Sequence, residues 1–274
     1  MGRGALERRV AMGRIKPVML RPETFMAVEE AGYVLTYPRR DPGSLKRRVE
    51  TLKRLGVTLV EFTGPKEVLG LRVLGKGTRS VILKAWVSGR RYALKVRRLD
   101  ASIPSLVMEA ENMKIANRVG VGPKLLRHSE DMIVMELIEG VPIPEWLNGP
   151  AAEDKGILRN VLRKLIVDAY RLDRAGLDHG ELSRASKHIY VKPDGEPVIL
   201  DFGSSSVRRR PSNVTSVVQY LFIGGAVAER VRKLHGPVDR DRLLEGLRNY
   251  KRNPSRESLN DILETLRLAH TLPL

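Results

Sequence analysis

The sequence predicts an α+β chain of two lobes, a small strand-rich one followed by a larger helical one. Two changes of period predict it. From Val57 to Ile138 apolar residues mostly alternate, as in half-buried strands, with one helical interruption near residues 102–119. From Glu153 onward they recur at helical spacing, and Gly140 marks the division. The expected boundaries are a basic N-terminal extension over 1–66, a first lobe over 67–139 and a second over 140–274.

Composition narrows the chemistry. The 274 residues hold no cysteine, which excludes disulfides, zinc–thiolate sites and thiol nucleophiles. There is no run of eighteen apolar residues, and Met1–Val10 carries no apolar leader core, so the expectation is a cytoplasmic protein with no membrane partner. The formal charge is +17, from 49 Lys and Arg against 32 Asp and Glu. Such an excess favours a polyanionic partner, RNA or a ribonucleoprotein, although a solvated basic surface has the same composition. Neither an aromatic RNP motif nor a GXXG loop is present to specify RNA.

Taken in order, Pro17, Pro22, Pro38 and Pro42 break up the first 43 residues, leaving a short helix from Glu23 that Gly32 ends. Ser44 is the expected cap of a helix with Leu45, Val49, Leu52 and Leu55 on one face and Gly56 as its stop. Strands follow over residues 57–63 and 68–74. The second leads into Gly75, Lys76 and Gly77, in the spacing G-x-G-x-x-G-x-V with Ser80 at the third glycine and Ile82 at the valine. Glycines without Cβ let backbone N–H groups approach phosphate oxygens, and the same loop also fits a bulged hairpin. Because residues 80–87 continue as a strand, the helix that a dinucleotide fold requires is missing. Tyr92–Val96 reads as a strand with Lys95 on its polar side. The helix over 102–119 offers Glu109 and Glu111 as carboxylate partners. Glu109 is preferred because Ala110 and Met113 take the inward positions beside it. A strand over 132–138 carries Met135, Glu136 and Ile138 before Glu139-Gly140.

In the second lobe, a helix over 153–175 places Leu158, Val161, Leu162, Leu165, Ile166, Ala169 and Leu172 in one stripe, which is core. After Gly176 comes Leu177-Asp178-His179-Gly180-Glu181-Leu182. A carboxylate here suits the task of accepting or orienting a substrate hydroxyl, and Glu181 or Asp178 can supply it. Ser186 stands five residues beyond Glu181, and His188 stands thirteen before Asp201. His188 is the candidate second metal ligand, with phosphate or water contact as competing roles, since magnesium prefers oxygen. The apolar run Val198–Leu200 ends in Asp201 at a turn that Gly203 permits. That is how a phosphoryl-transfer site presents a metal ligand, and also how a hairpin turn reads. Ser204–Ser206 and Arg208–Arg210 follow, a helix starts near Asn213, and three packing helices fill the rest.

In this order and at these distances, the segments resemble the protein-kinase superfamily, and most closely the RIO-like atypical kinases, including a family of predicted archaeal serine/threonine kinases. The likeness spans about residues 70–222. It implies a bilobal kinase fold with ATP and magnesium as cofactors. It assigns Gly75, Lys76, Gly77, Ser80 and Ile82 to the nucleotide loop, Lys95 to the phosphates and Glu109 to orienting that lysine. Glu136 and Ile138 would offer backbone groups to the base, Asp201 would bind metal, and Glu181 is the candidate base. No Ala-Pro-Glu motif follows Asp201, so the peptide-docking segment is expected to be reduced, as in RIO-like kinases. The implied activity is phosphoryl transfer to a protein Ser or Thr, including its own. The alternatives are a nucleotide-binding scaffold on RNA or the ribosome and a small-molecule kinase of the aminoglycoside-phosphotransferase type.

Overall fold

The computed structural model describes residues 17–269; the leader-free reading of residues 1–10 lies outside them. The chain divides into two compact units. One holds the residues up to Leu106 together with Leu126–Leu137, and the other holds Val107–Leu125 together with the residues from Ile138 onward.

The first unit is built on an antiparallel sheet. Its strands are β1 (Val18–Leu20), β2 (Val57–Phe62), β5 (Gly75–Lys76), β6 (Ser80–Val87), β7 (Arg90–Arg97), β8 (Leu125–His128) and β9 (Met132–Glu136). They run in the order β1-β2-β6-β7-β9-β8, with β5 on β6. A separate hairpin joins β3 (Lys66–Val68) to β4 (Leu71–Val73). The expected single strand over 68–74 is thus split, because Leu69 and Gly70 both adopt left-handed φ and reverse the chain. Two helices, α1 (Glu29–Thr36) and α2 (Pro42–Arg54), cover one face.

Alternation along β6 explains that face. Val81, Leu83, Ala85 and Val87 are buried, and they share one core with Leu94, Val96, Met132 and Val134 from the sheet and with Phe25, Val34, Leu35, Val49 and Leu52 from beneath it. The described part of the segment expected as a separate extension, residues 17–66, therefore contributes to this core. Its strand β2 pairs with β6 from Val57↔Val87 to Glu61↔Lys84. The apolar stripe of α2 needed a partner, and the sheet supplies it.

Two local expectations change for physical reasons. Gly32 does not stop a helix but lies inside α1, because a Cβ there would stand 2.9 Å from Leu45 Cδ2 and 3.0 Å from the Phe25 carbonyl oxygen. Close packing of α2, not termination, selects glycine. The cap of α2 is Asp41, whose Oδ1 accepts the Ser44 N–H at 2.9 Å, with Pro42 opening the helix. Below the sheet, the buried Arg48 donates from Nε to Asp131 at 3.2 Å, and Arg97 Nε donates to the same carboxylate at 2.6 Å. Burial pushes the Asp131 carboxyl up, but the two guanidinium groups outweigh it and leave its pKa lowered.

The second unit is mostly helical: α3 (Val107–Arg118), α4 (Ile143–Trp146), α5 (Lys155–Arg174), α6 (Asn213–Val218), α7 (Gly225–His235), α8 (Arg240–Arg252) and α9 (Arg256–Thr265). Among the described residues its sheet is β10 (Val141–Pro142), β11 (Ile189–Val191) and β12 (Pro197–Ile199), all antiparallel. Every residue of the α5 stripe is buried. The start of α5 is fixed by Asp154, which accepts the Ile157 N–H at 2.9 Å, and α3 starts at Val107, later than the expected Ser102. Among the described residues no helix is long and apolar enough to cross a membrane.

Candidate active site

Strand register gathers the first unit's candidates. Ile82 pairs with Lys95, Lys95 with Ile133, and Ala93 with Met135. Directly opposed residues of antiparallel strands share a face, so Ile82, Lys95 and Ile133 line the face opposite the core, while their neighbours Leu83, Leu94 and Val134 fill the core. Lys95 is buried there, only 6% exposed. Glu136 ends β9 opposite Tyr92, and the division between the units falls just before Ile138.

The glycine loop is a tight hairpin. Gly75 pairs with Ile82 and Lys76 with Val81, and Gly77 N–H donates to the Ser80 carbonyl at 2.9 Å. Neither Gly75 nor Gly77 has positive φ. What Gly77 contributes is room: a Cβ there would meet only the Ser80 oxygen, at 3.7 Å. Ser80 itself is buried. Sequence reasoning missed what holds this loop. Tyr37 carries Lys76 Nζ 5.0 Å and Arg98 Cζ 4.7 Å from its ring centre, and Arg98 Nη1 donates to the Gly77 carbonyl at 2.8 Å while Asp100 takes its other nitrogens. No local motif announces a tyrosine forty residues upstream of the glycines.

In the second unit Asp201 leaves β12 with φ 67, a left-handed turn that aspartate tolerates better than most residues. The turn throws its exposed carboxylate out of the strand direction, and Oδ1 accepts the Gly203 N–H at 3.2 Å. Gly203 is needed for space, since a Cβ would stand 3.1 Å from Glu109 Oε2 and 3.2 Å from Asp201 Oδ1. Glu109 is buried in the first turn of α3, whereas Glu111 is exposed and pairs with Lys114 at 2.7 Å.

Glu181 is held from both sides. Its Oε1 accepts the Ser204 hydroxyl at 2.6 Å, and its Oε2 lies 2.9 Å from His188 Nε2. The serine hydrogen bond, with smaller help from the histidine, lowers the Glu181 pKa against the opposing effect of partial burial. A carboxylate kept ionised in this way can take a hydroxyl proton. At His188, the candidate second metal ligand, Nε2 is engaged by Glu181 and Nδ1 is buried without a hydrogen-bond partner. The ring holds the carboxylate in place.

Asp178, the alternative base, is committed elsewhere. It is buried, accepts Arg209 Nε at 2.8 Å and the Ser212 N–H at 3.2 Å, and its backbone forms a two-way bridge with Ser206 at 3.0 and 2.8 Å. Gly180, at φ 86, makes way for this clamp, because a Cβ would fall 2.6 Å from Arg209 Nη2. Behind it His179 is fully buried; its Nε2 lies 3.0 Å from the Leu200 carbonyl, its N–H donates to Asn213 Oδ1 at 2.8 Å, and burial pushes its pKa down. Asp173 on α5 anchors Asn213 in turn, accepting its N–H and side-chain amide, each at 2.8 Å, and the Tyr250 hydroxyl at 2.9 Å. A cavity of about 730 Å³ opens over this cluster, lined by Glu181, Arg184, Ser204, Arg209 and Ser212 among others.

The family resemblance implies magnesium bound together with a nucleotide triphosphate. Among the described residues no group of three or more acidic or histidine side chains could hold an ion alone. That ion is commonly held by one or two carboxylates plus phosphate oxygens, and Asp201 presents such an oxygen. A strand-rich first unit with a helical second unit, carrying a strand lysine, a loop carboxylate and a left-handed aspartate, defines a kinase-like fold. Residues 89–217 match the family model described as the RIO domain, which supports a RIO-like atypical protein kinase. The match begins after the glycine loop and includes Lys95, Glu109, Glu181, His188 and Asp201. The comparison with curated proteins finds no match.

Proposed function

We propose that this chain transfers the γ-phosphoryl group of ATP to a serine or threonine hydroxyl of a protein. The observation that carries the reading is Glu181, an ionised carboxylate already accepting a hydroxyl hydrogen bond at 2.6 Å, within a segment matched by the RIO domain. In this reading Glu181 orients the acceptor hydroxyl and takes its proton, and His188 fixes the carboxylate. Lys95 binds phosphate oxygens with Glu109 as its orienting partner, and the Gly75–Ile82 hairpin gives backbone N–H groups to the phosphates. Glu136 and Ile138 contribute backbone groups to the base. Magnesium, held by Asp201, neutralises phosphate charge when bound.

The test is label transfer from γ-labelled ATP with magnesium to a generic protein acceptor, beside Lys95→Ala and Asp201→Ala. Each variant is expected to lose on the order of 10³-fold in rate while remaining folded by circular dichroism. Nucleotide binding with no turnover in the unmodified chain would replace this reading by the scaffold. For that alternative, the +17 charge supports a polyanionic partner, checked by RNA binding that weakens steeply with salt.

A further inference from the structure

We infer that Ser204 is a phosphorylation site of this chain, modified within the same molecule. The inference rests on the phosphoryl-transfer reading above and gives it a particular acceptor. Ser204 Oγ donates to Glu181 Oε1 at 2.6 Å, a short, charge-assisted O–H···O⁻ bond, so the hydroxyl sits where an acceptor for this base has to sit. It lies on the loop that starts at Asp201, three positions on.

Its neighbours show that the geometry is selective. Ser205 Oγ has only a 3.4 Å contact with the His179 carbonyl, and Ser206 Oγ accepts the Arg208 N–H at 3.1 Å while its backbone is bridged to Asp178. Of the three consecutive hydroxyls, only that of Ser204 is hydrogen-bonded to a carboxylate in the structure described. In the step, the bond from the γ-phosphorus to its bridging oxygen breaks and a bond from phosphorus to Ser204 Oγ forms. The hydroxyl proton passes to Glu181, and ADP leaves. The product has a place to go. A phosphate of nearly two negative charges is repelled by Glu181, and Arg184 and Arg209 both line the same cavity. Arg209 Nη2 already donates to the Ser204 carbonyl at 2.6 Å.

The experiment incubates the full chain with γ-labelled ATP, magnesium and casein, then maps the label by mass spectrometry. Label on Ser204 is expected, at a rate per molecule that does not change on dilution. Ser204→Ala should cut self-labelling about tenfold or more, Ser205→Ala should keep it, and Ser204→Thr should carry phosphothreonine at that position. Melting curves of the variants exclude misfolding as the cause. Casein labelled while Ser204 stays unlabelled overturns this inference and leaves the kinase reading standing. Neither labelled overturns both. Label appearing on a tagged Asp201→Ala chain mixed with the unmodified one, at a rate that falls with dilution, overturns the intramolecular route.

Discussion

The two units hold their reactive side chains by different means. In the first, Lys95 is placed by backbone: eight consecutive pairs of β6 with β7 and five of β7 with β9 fix its face and its height. In the second, the Glu181 carboxylate is held by two side chains, one serine and one histidine, and the loop around it by the Asp178–Arg209 ion pair and a short backbone bridge from Asp178 to Ser206. A ladder shares any loss among many bonds. A cluster of side chains has no such reserve, so cutting a support around the second unit's site should lower function, whereas cutting a support beneath the first unit's sheet should cost stability alone.

Asp173→Ala should have the largest effect. It strands Asn213 and the Tyr250 hydroxyl, at a cost of about 3 to 4 kcal/mol, and because Asn213 holds the His179 N–H it should also lower activity per folded molecule. Urea midpoints and active-site titration separate the two effects. Asp131→Ala is the matching cut in the first unit. It leaves Arg48, 2% exposed, without its carboxylate and should cost about 3 kcal/mol, with activity per folded molecule retained. A drop in that activity would break the contrast between the units.

Glu181→Gln sharpens it from the other side: rate about 10²-fold lower, urea midpoint almost unmoved. Acid distinguishes the units as well. The folded pKa of Asp131 is lowered, so its stabilisation is complete above the unfolded value near 4 and disappears as pH falls through the folded one. Burial instead raises the pKa of Asp168 and Asp173, so their contribution is complete below that unfolded value and declines as pH rises through the folded ones. Peptide-resolved hydrogen exchange during acidification should therefore show the first unit opening before the second. The smallest effect expected is from Asp41→Ala, which removes the cap of α2 for about 1 kcal/mol and touches nothing catalytic.

Much of this arrangement is legible in sequence because it is periodic or punctuated. Alternation gave β6 and β7, the stripe from Leu158 to Leu172 gave α5, and Asp201 stood out as a carboxylate ending an apolar run. What escaped depends on partners distant along the chain. Glu181 and Ser204 are 23 residues apart, Asp178 and Arg209 are 31 apart, and nothing local distinguishes a committed aspartate from an available glutamate three positions later. The error at Gly32 has the same origin. A glycine that stops a helix and one that admits a neighbouring helix look identical until Leu45 is placed beside it. Leu69 escaped for a different reason, because a left-handed leucine contradicts the residue's own preference and only the β3–β4 hairpin imposes it.

The backbone bridge between Asp178 and Ser206 has a consequence for recognition. Once the polypeptide returns to its catalytic loop so soon after Asp201, no free ribbon is left there along which an extended acceptor peptide could lie. On the proposed phosphoryl-transfer reading, selectivity passes to the recess edged by Arg184 and Arg209, which would meet the shape and charge around one hydroxyl and not a run of flanking residues.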